Sequence, residues 1–352
     1  MSRILLASLV LLATSATGWA AETDLITRTD GSQLLGEISA VSRDEVTIKT
    51  GLRREEQKVP AGQIARIEWK GEPASLPLQR SAEQSGRLED ALRGYQAALA
   101  EVGDAQPNLK SDLGYLITRT QAKLALADPG RLDEAIAGLE AFRKTHANSF
   151  RFYEALTLLG DLYLEKEDFS NAEAVFSLLG QASSSDYKLA GQIAAGRIEL
   201  ARGNVPAAVQ QFDAVISAPA DGPAEKGRQQ QARLGKATAL VKQNQHAEAA
   251  KVLDEVIEQT PVNDTRTLAE AYVRKGDTLL AGGKLKEAVL AYLHVDVLFP
   301  AEQALHAEAL YHLAELGSAL GDAQLTADAS AQLELKYANT EWAKKLSAPA
   351  GR

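Results

Sequence analysis

The stretch from Ala269 to Pro300, AEAYVRKGDTLLAGGKLKEAVLAYLHVDVLFP, constrains this chain more than any other, because its spacing returns in further segments. Tyr272, Gly276 and Leu279 fall at helical spacing. Gly283 stands at a turn, and Ala288, Tyr292 and Val295 share one face of a second helix that Pro300 stops. Gly276 and Ala288 let the two helices approach closely, and the Tyr292 ring fills the volume beside that contact. The same register is occupied by Leu159, Gly160, Tyr163, Ala172 and Phe176, and again by Gly196, Ala208 and Phe212. Ala237, Ala249, Leu253, Val256 and Pro261 keep the frame with Ala in place of Gly and Leu in place of the aromatic. Two earlier second helices read the same way, Leu88 to Leu99 with Ala91 and Tyr95, and Leu132 to Phe142 with Ala135 and Leu139. A final, degenerate copy runs through Ala309, Ala314, Gly321, Ala327 and Ala331 to Tyr337 and Trp342. A helix pair this short cannot bury its apolar faces alone, so the pattern predicts an open stack of pairs. A generic alanine-rich bundle would share the composition but not the recurrence.

The pattern resembles the tetratricopeptide repeat, whose signature is an aromatic, Leu-Gly and Tyr on one helix and Ala, Phe, Ala and Pro on the next. The resemblance covers Ser81 to Leu346, although no unit carries the family's Trp and the unit length drifts above ~34 residues. It implies a mostly α fold, a right-handed α-solenoid of helix pairs occupying 81–346. In proteins of this resemblance the first helices line a concave groove that holds a protein or peptide. Carried over unit by unit, that groove is Glu154, Thr157, Asp161 and Leu164, then Ile193, Arg197 and Leu200. It continues with Thr238, Val241 and Lys242, then Val273, Asp277 and Leu280. The Lys and Asn clamp by which chaperone-linked members hold a C-terminal carboxylate is not reproduced.

Residues 1–20, MSRILLASLVLLATSATGWA, join Arg3 to an apolar run and small residues at Gly18 and Ala20. That pattern reads as a cleavable secretory signal, the apolar run being shorter than the ~20 residues of a spanning helix. Export to the periplasm or beyond is the expectation, with a new N-terminus at Ala21; an uncleaved anchor would retain Met1. Across 24–70 the period changes to alternation, with turn signals at Asp30-Gly31, Ser42-Arg43-Asp44, Gly51 and Ala61-Gly62. Five short strands result, and curling into a small β-barrel would protect their edges. The string resembles Sm-like or Src-homology-type barrels. Residues 71–80, opening with GEPASLP, read as a linker, and 347–352 as a frayed tail.

Little in the sequence points to chemistry. His146, His246, His294, His306 and His312 show no metal-clamp spacing and read as surface or packing residues. Gly282-Gly283-Lys284 lacks the strand and glycines of a phosphate loop, and no serine has a neighbouring histidine and aspartate to nominate a triad. With no cysteine there is no disulfide framework or thiol nucleophile, and a net charge of -9 opposes binding of polyanions. The expectation is therefore no enzyme, cofactor, metal or nucleic acid, and no membrane span after Ala21. The leading reading is an envelope scaffold that gathers protein or peptide partners. Alternatives are an accessory or carrier subunit of an envelope enzyme or assembly system, and self-assembly through the barrel into a homo-oligomer.

Overall fold

A computed structural model describes residues 23–338 and 340–347. The signal segment 1–20 and all but the first residue of the tail lie outside the described residues. The chain begins with five strands, β1 (Asp24–Arg28), β2 (Gln33–Val41), β3 (Glu45–Thr50), β4 (Glu55–Pro60) and β5 (Ile64–Glu68). All neighbours are antiparallel in the order β4-β3-β2-β1-β5, and register shifts at Thr27/Arg28 and Ile38/Ala40 bend the sheet. The strand count matches the alternation, but closure into a barrel does not occur: β4 and β5 are not paired.

Helices cover what closure would have hidden. Ile26, Ile48, Val59, Ile64, Ile67 and Trp69 share one apolar core with Leu76, Leu113, Phe150 and Phe152 of the helical part. The outer carbonyls of β5 are capped by arginines, Ile67 by Arg80 Nη2 at 3.1 Å and Ala65 by Arg151 Nη2 at 3.5 Å. An edge strand satisfied this way has no need of a sixth neighbour.

The helices form seven consecutive pairs. The first three are α1 (Leu76–Gln84) with α2 (Leu88–Glu101), α3 (Pro107–Ala127) with α4 (Leu132–Thr145), and α5 (Phe152–Glu165) with α6 (Phe169–Ser177). Next come α7 (Ser185–Ala201) with α8 (Val205–Ile216), and α9 (Pro223–Lys242) with α10 (His246–Gln259). The last are α11 (Thr265–Ala281) with α12 (Leu285–Leu298), and α13 (Gln303–Leu320) with α14 (Ala323–Tyr337), before a terminal α15 (Glu341–Ser347). Prolines open α3 and α9, where their missing N–H is no loss, and Asp168, Asp264 and Asp322 accept backbone N–H groups at the starts of α6, α11 and α14. First helices range from 9 to 21 residues, which accounts for the drift in unit length. Because α1 starts at Leu76, the stretch read as linker is half helix. It is also pinned, by the two hydrogen bonds of 2.8 Å from Arg80 to Glu72.

One seam recurs in every pair. Ala91, Ala135, Ala172, Ala208, Ala249, Ala288 and Ala329 are buried on the second helices. One turn later each second helix buries a large side chain, respectively Tyr95, Leu139, Phe176, Phe212, Leu253, Tyr292 and Leu333. Where the first helix faces that side chain with glycine, nothing larger fits: a Cβ would lie 2.7 Å from the Phe212 ring at Gly196 and 2.5 Å from the Tyr292 ring at Gly276. Gly160 meets Phe176 in the same way. Phe212 is gripped from both sides, because a Cβ at Gly235 on α9 would lie 2.6 Å from its ring. The final copy is shifted from the sequence expectation. Its seam is Ala329 and Leu333, with Gly317 lying against Thr326 and Asp322 instead, whereas Ala327 and Ala331 are exposed and Gly321 forms the turn with φ 73°. α14 has an alanine or serine at so many positions that composition alone allows several registers.

The sheet and the array are locked by a buried polar knot. The Trp69 indole N–H donates to Asp112 Oδ2 at 2.9 Å, and Arg151 Nε donates to Asp112 Oδ1 at 3.0 Å. The Arg151 guanidinium lies over the Phe150 and Tyr115 rings, 4.5 and 5.2 Å from their centroids.

Two outcomes follow from this packing. Phe212→Ala should lower unfolding free energy by about 3–5 kcal/mol in urea titrations, whereas Ala327→Lys should change it by less than about 0.5 kcal/mol. Asp112→Ala strands a buried guanidinium and an indole N–H, so it should cost about 3–5 kcal/mol and red-shift the tryptophan emission. Asp112→Asn keeps an acceptor for Trp69 and should fall between.

Candidate functional site

The inner face of the array is built from its first helices. Each touches its successor from α3 through α13, while every second helix packs against the first helices on either side of it. Elements whose first members touch and whose second members are wedged apart form a curved wall with the first helices inside.

Ion pairs stitch successive first helices together. Glu83 of α1 accepts from Arg119 and Lys123 of α3, with Arg119 Nε and Lys123 Nζ both at 2.8 Å. Asp112 of α3 holds Arg151 at the start of α5, and Asp161 of α5 pairs with Arg197 of α7 at 2.6 Å. Asp186 of α7 takes the Arg228 guanidinium of α9, and Arg274 of α11 donates to both oxygens of Glu308 on α13, at 3.0 and 3.2 Å. Among the described residues the step from α9 to α11 has no such pair.

Against this ladder the expected groove residues divide into three groups. Leu164, Leu200, Val241 and Leu280 occupy the same register on α5, α7, α9 and α11, and all four are half-buried. They form an apolar row across four units. Asp161, Arg197, Thr238 and Asp277 form a polar row beside it. Asp161 and Arg197 neutralise each other, and Thr238 Oγ1 is turned back onto the Leu234 carbonyl at 3.1 Å. Lys242 is exposed and has no carboxylate partner among the described residues. Glu154 and Thr157 are half-buried but engaged, Glu154 with Arg151 and Thr157 with the Tyr153 carbonyl. Two residues do not belong to the face at all. Val273 is 0% exposed and Ile193 8%, because at their register α11 and α7 pack into the core.

Asp277 belongs to a cluster that the sequence did not reveal. It accepts from the Tyr292 hydroxyl at 2.7 Å and from Arg274, and His312 Nε2 lies 3.7 Å away. The His312 ring stacks on Tyr292 with centroids 4.9 Å apart. Burial, and then the Asp277 charge, push the Tyr292 phenol far above its ordinary pKa, so it remains a donor. Asp277, Glu308 and His312 offer three metal-ligating atoms within 4.8 Å of one another. Arg274 already sits between the two carboxylates and offsets one of their two charges, so the arrangement fits a tie between α11 and α13 better than a cation site. His306, by contrast, is wholly buried between Asp296 and the Tyr337 hydroxyl, 2.8 and 2.7 Å away. No spacing in the sequence could have paired Arg274 with Glu308, since they meet only after two units are stacked.

The sheet docks on the N-terminal ends of α5 and α7. The Tyr153 hydroxyl reaches Asp44 at 3.3 Å, Ser183 Oγ donates to Asp44 at 2.7 Å, and Gly62 packs against Asp186 and Tyr187. The row of Leu164, Leu200, Val241 and Leu280 lies towards the opposite ends of α5, α7, α9 and α11 and is left open.

Burial would raise the Glu83 carboxyl, but hydrogen bonds and charge from Arg119 and Lys123 outweigh it and hold the group below its ordinary value of 4.5. A depressed folded pKa stabilises fully above the unfolded value and is lost as pH falls through the folded one. Stability should therefore decline on acidification below 4.5. Glu83→Gln should lower the urea midpoint at neutral pH and flatten that acid decline, as read from urea melts down to about pH 2.

The tetratricopeptide-repeat profile matches residues 120–186 and 193–264, so the chain contains repeats of that type. No curated protein matches the sequence. A Rap protein solved in complex with competence and sporulation factor superimposes with a TM-score of 0.50 at 14% identity, covering 77% of this chain and 78% of that one. A tetratricopeptide repeat protein from Parabacteroides merdae gives 0.48 at 18% identity, covering 77% and 95%. PilW, a type IV pilus biogenesis factor, gives 0.43 at 18% identity, covering 66% and 99%. At these identities the likeness concerns the fold alone.

Proposed function

We propose that this chain is a non-enzymatic scaffold that binds a protein or peptide along the inner face of its first helices. One observation carries the reading: a half-buried apolar row, Leu164, Leu200, Val241 and Leu280, runs in register across four units beside the exposed Lys242. A row of evenly spaced apolar positions suits an extended or helical segment with apolar side chains at matching intervals, and Lys242 suits an acidic group on it. The Rap protein complexed with competence and sporulation factor is a precedent for binding on this fold.

The scaffold works in the cell envelope after export, on the strength of the apolar, Arg3-led segment at 1–20. Among the described residues no helix is long and apolar enough to cross a membrane. Self-assembly through the sheet is the weaker reading, since β5 is capped by arginines and β4 carries Glu55, Glu56, Lys58 and Pro60.

A photo-crosslinking amino acid at Leu200 should capture a discrete partner in cells, and Leu164→Glu or Leu280→Glu should abolish that capture in protein that circular dichroism shows to be folded. Capture that persists in both variants would refute the inner-face site. N-terminal sequencing of the same protein tests the location: a chain starting at Ala21 supports export, and a retained Met1 opposes it.

A further inference from the structure

The outer side of the last two pairs holds a recess that the inner face does not explain. α12 and α14 are successive second helices with α13 between them, and together they enclose a cavity of ≈ 390 Å³. Leu313 of α13 lies at its base, and Leu293, Leu325 and Ala329 line its walls. Asp296 and Asp328 stand on opposite walls. On the α14 side the lining includes Ala329 and Ala331, whose small side chains take up little of the space.

Its surroundings are unusually apolar for an outer surface. α12 is hydrophobic on nearly every side, and it leaves Leu290 59% and Val297 69% exposed, while α14 leaves Leu335 85% exposed. A helix of that composition is normally covered. Neither carboxylate has a lysine or arginine within salt-bridge distance among the described residues: Asp296 is bonded to His306, with Lys336 near enough only to act through its charge, and Asp328 accepts from Gln324 at 2.9 Å. The hydrogen bond from His306 holds the Asp296 carboxyl below its ordinary pKa, so the wall is charged at neutral pH.

We infer that this groove docks an amphipathic helix of a partner protein, seating a leucine-sized side chain on Leu293, Leu313 and Leu325 and pairing basic residues with Asp296 and Asp328. Negative charge on both walls calls for Lys or Arg on both flanks of the apolar ridge. The stretch from Leu325 to Gln332 is about two helical turns, roughly 10 Å, which sets the length of the segment that can be seated. The site is separate from the inner face and does not depend on it.

The probe is a fluorescein-labelled peptide of about 14 residues, a leucine and lysine amphipathic helix, titrated with the full chain by anisotropy beside its counterpart with glutamate for lysine. Saturable binding of the lysine peptide and none of the glutamate peptide is expected. Ala331→Trp, which fills the recess from an exposed position, and Asp328→Lys should each weaken binding about tenfold or more, and Leu200→Glu on the inner face should leave it unchanged. Circular dichroism melting checks that each variant is folded, and Asp328→Lys carries the test alone if Ala331→Trp melts early. Equal binding of both peptides, or undiminished binding by the folded variants, overturns the inference. A dimer in light scattering that Ala331→Trp dissolves would assign the groove to a second copy, and cosedimentation with phosphatidylglycerol vesicles that it abolishes would assign it to lipid; either overturns it too.

Discussion

The insertion of an aromatic ring from the second helix into a slot left by glycine on the first sets the geometry of three of the seven pairs. Gly160, Gly196 and Gly276 have no Cβ because the rings of Phe176, Phe212 and Tyr292 occupy that volume. Close approach of the two backbones brings the paired alanines into contact, and dispersion across that seam depends on distances of a few tenths of an ångström. The direction of these first helices is fixed by the same contact, so the inner face repeats from unit to unit. The apolar row is a by-product of that regularity: Leu164, Leu200 and Leu280 align because the slots beneath them do, and Val241 keeps their register.

Charge plays a different part on this scaffold. The pairs between successive first helices involve groups that are mostly half-buried, where an unpaired partner is costly and a satisfied one contributes modestly. Their effect is to specify which surface of one helix faces the next. The junction with the sheet shows the extreme case, a wholly buried Arg151 held by Asp112 and flanked by aromatic faces. The sheet is thereby part of the array's core rather than a separate body on a tether, and Arg80 and Glu72 hold the connecting segment as well.

The helix pairs were legible in the sequence because glycine, alanine and an aromatic at fixed intervals leave few other ways to pack. The signal failed where alanine was too common to discriminate: Ala327 and Ala331 looked as suitable as Ala329, and only packing of Leu333 settles the register. Alternation revealed five strands but not their openness, since the groups that cap β5 come from Arg80 and Arg151, far along the chain. The repeat register placed Leu164, Leu200, Val241 and Leu280 at equivalent, half-buried positions. Ile193 and Val273 could not be told from their exposed equivalents, because burial at that register depends on how tightly the neighbouring unit closes over it. The tie among Arg274, Asp277 and Glu308 spans two stacked units and left no local trace.

The interval between α9 and α11 stands apart from the rest of the wall. Every other step from α1 to α13 is pinned by an ion pair of fixed length, whereas these two helices meet through apolar contact. Register at this step therefore rests on the fit of side-chain shapes rather than on directional pairs of charges. Thr238, Val241 and Lys242 stand on α9 at that step, so the stretch of inner face that they form is held in place by packing and not by charge.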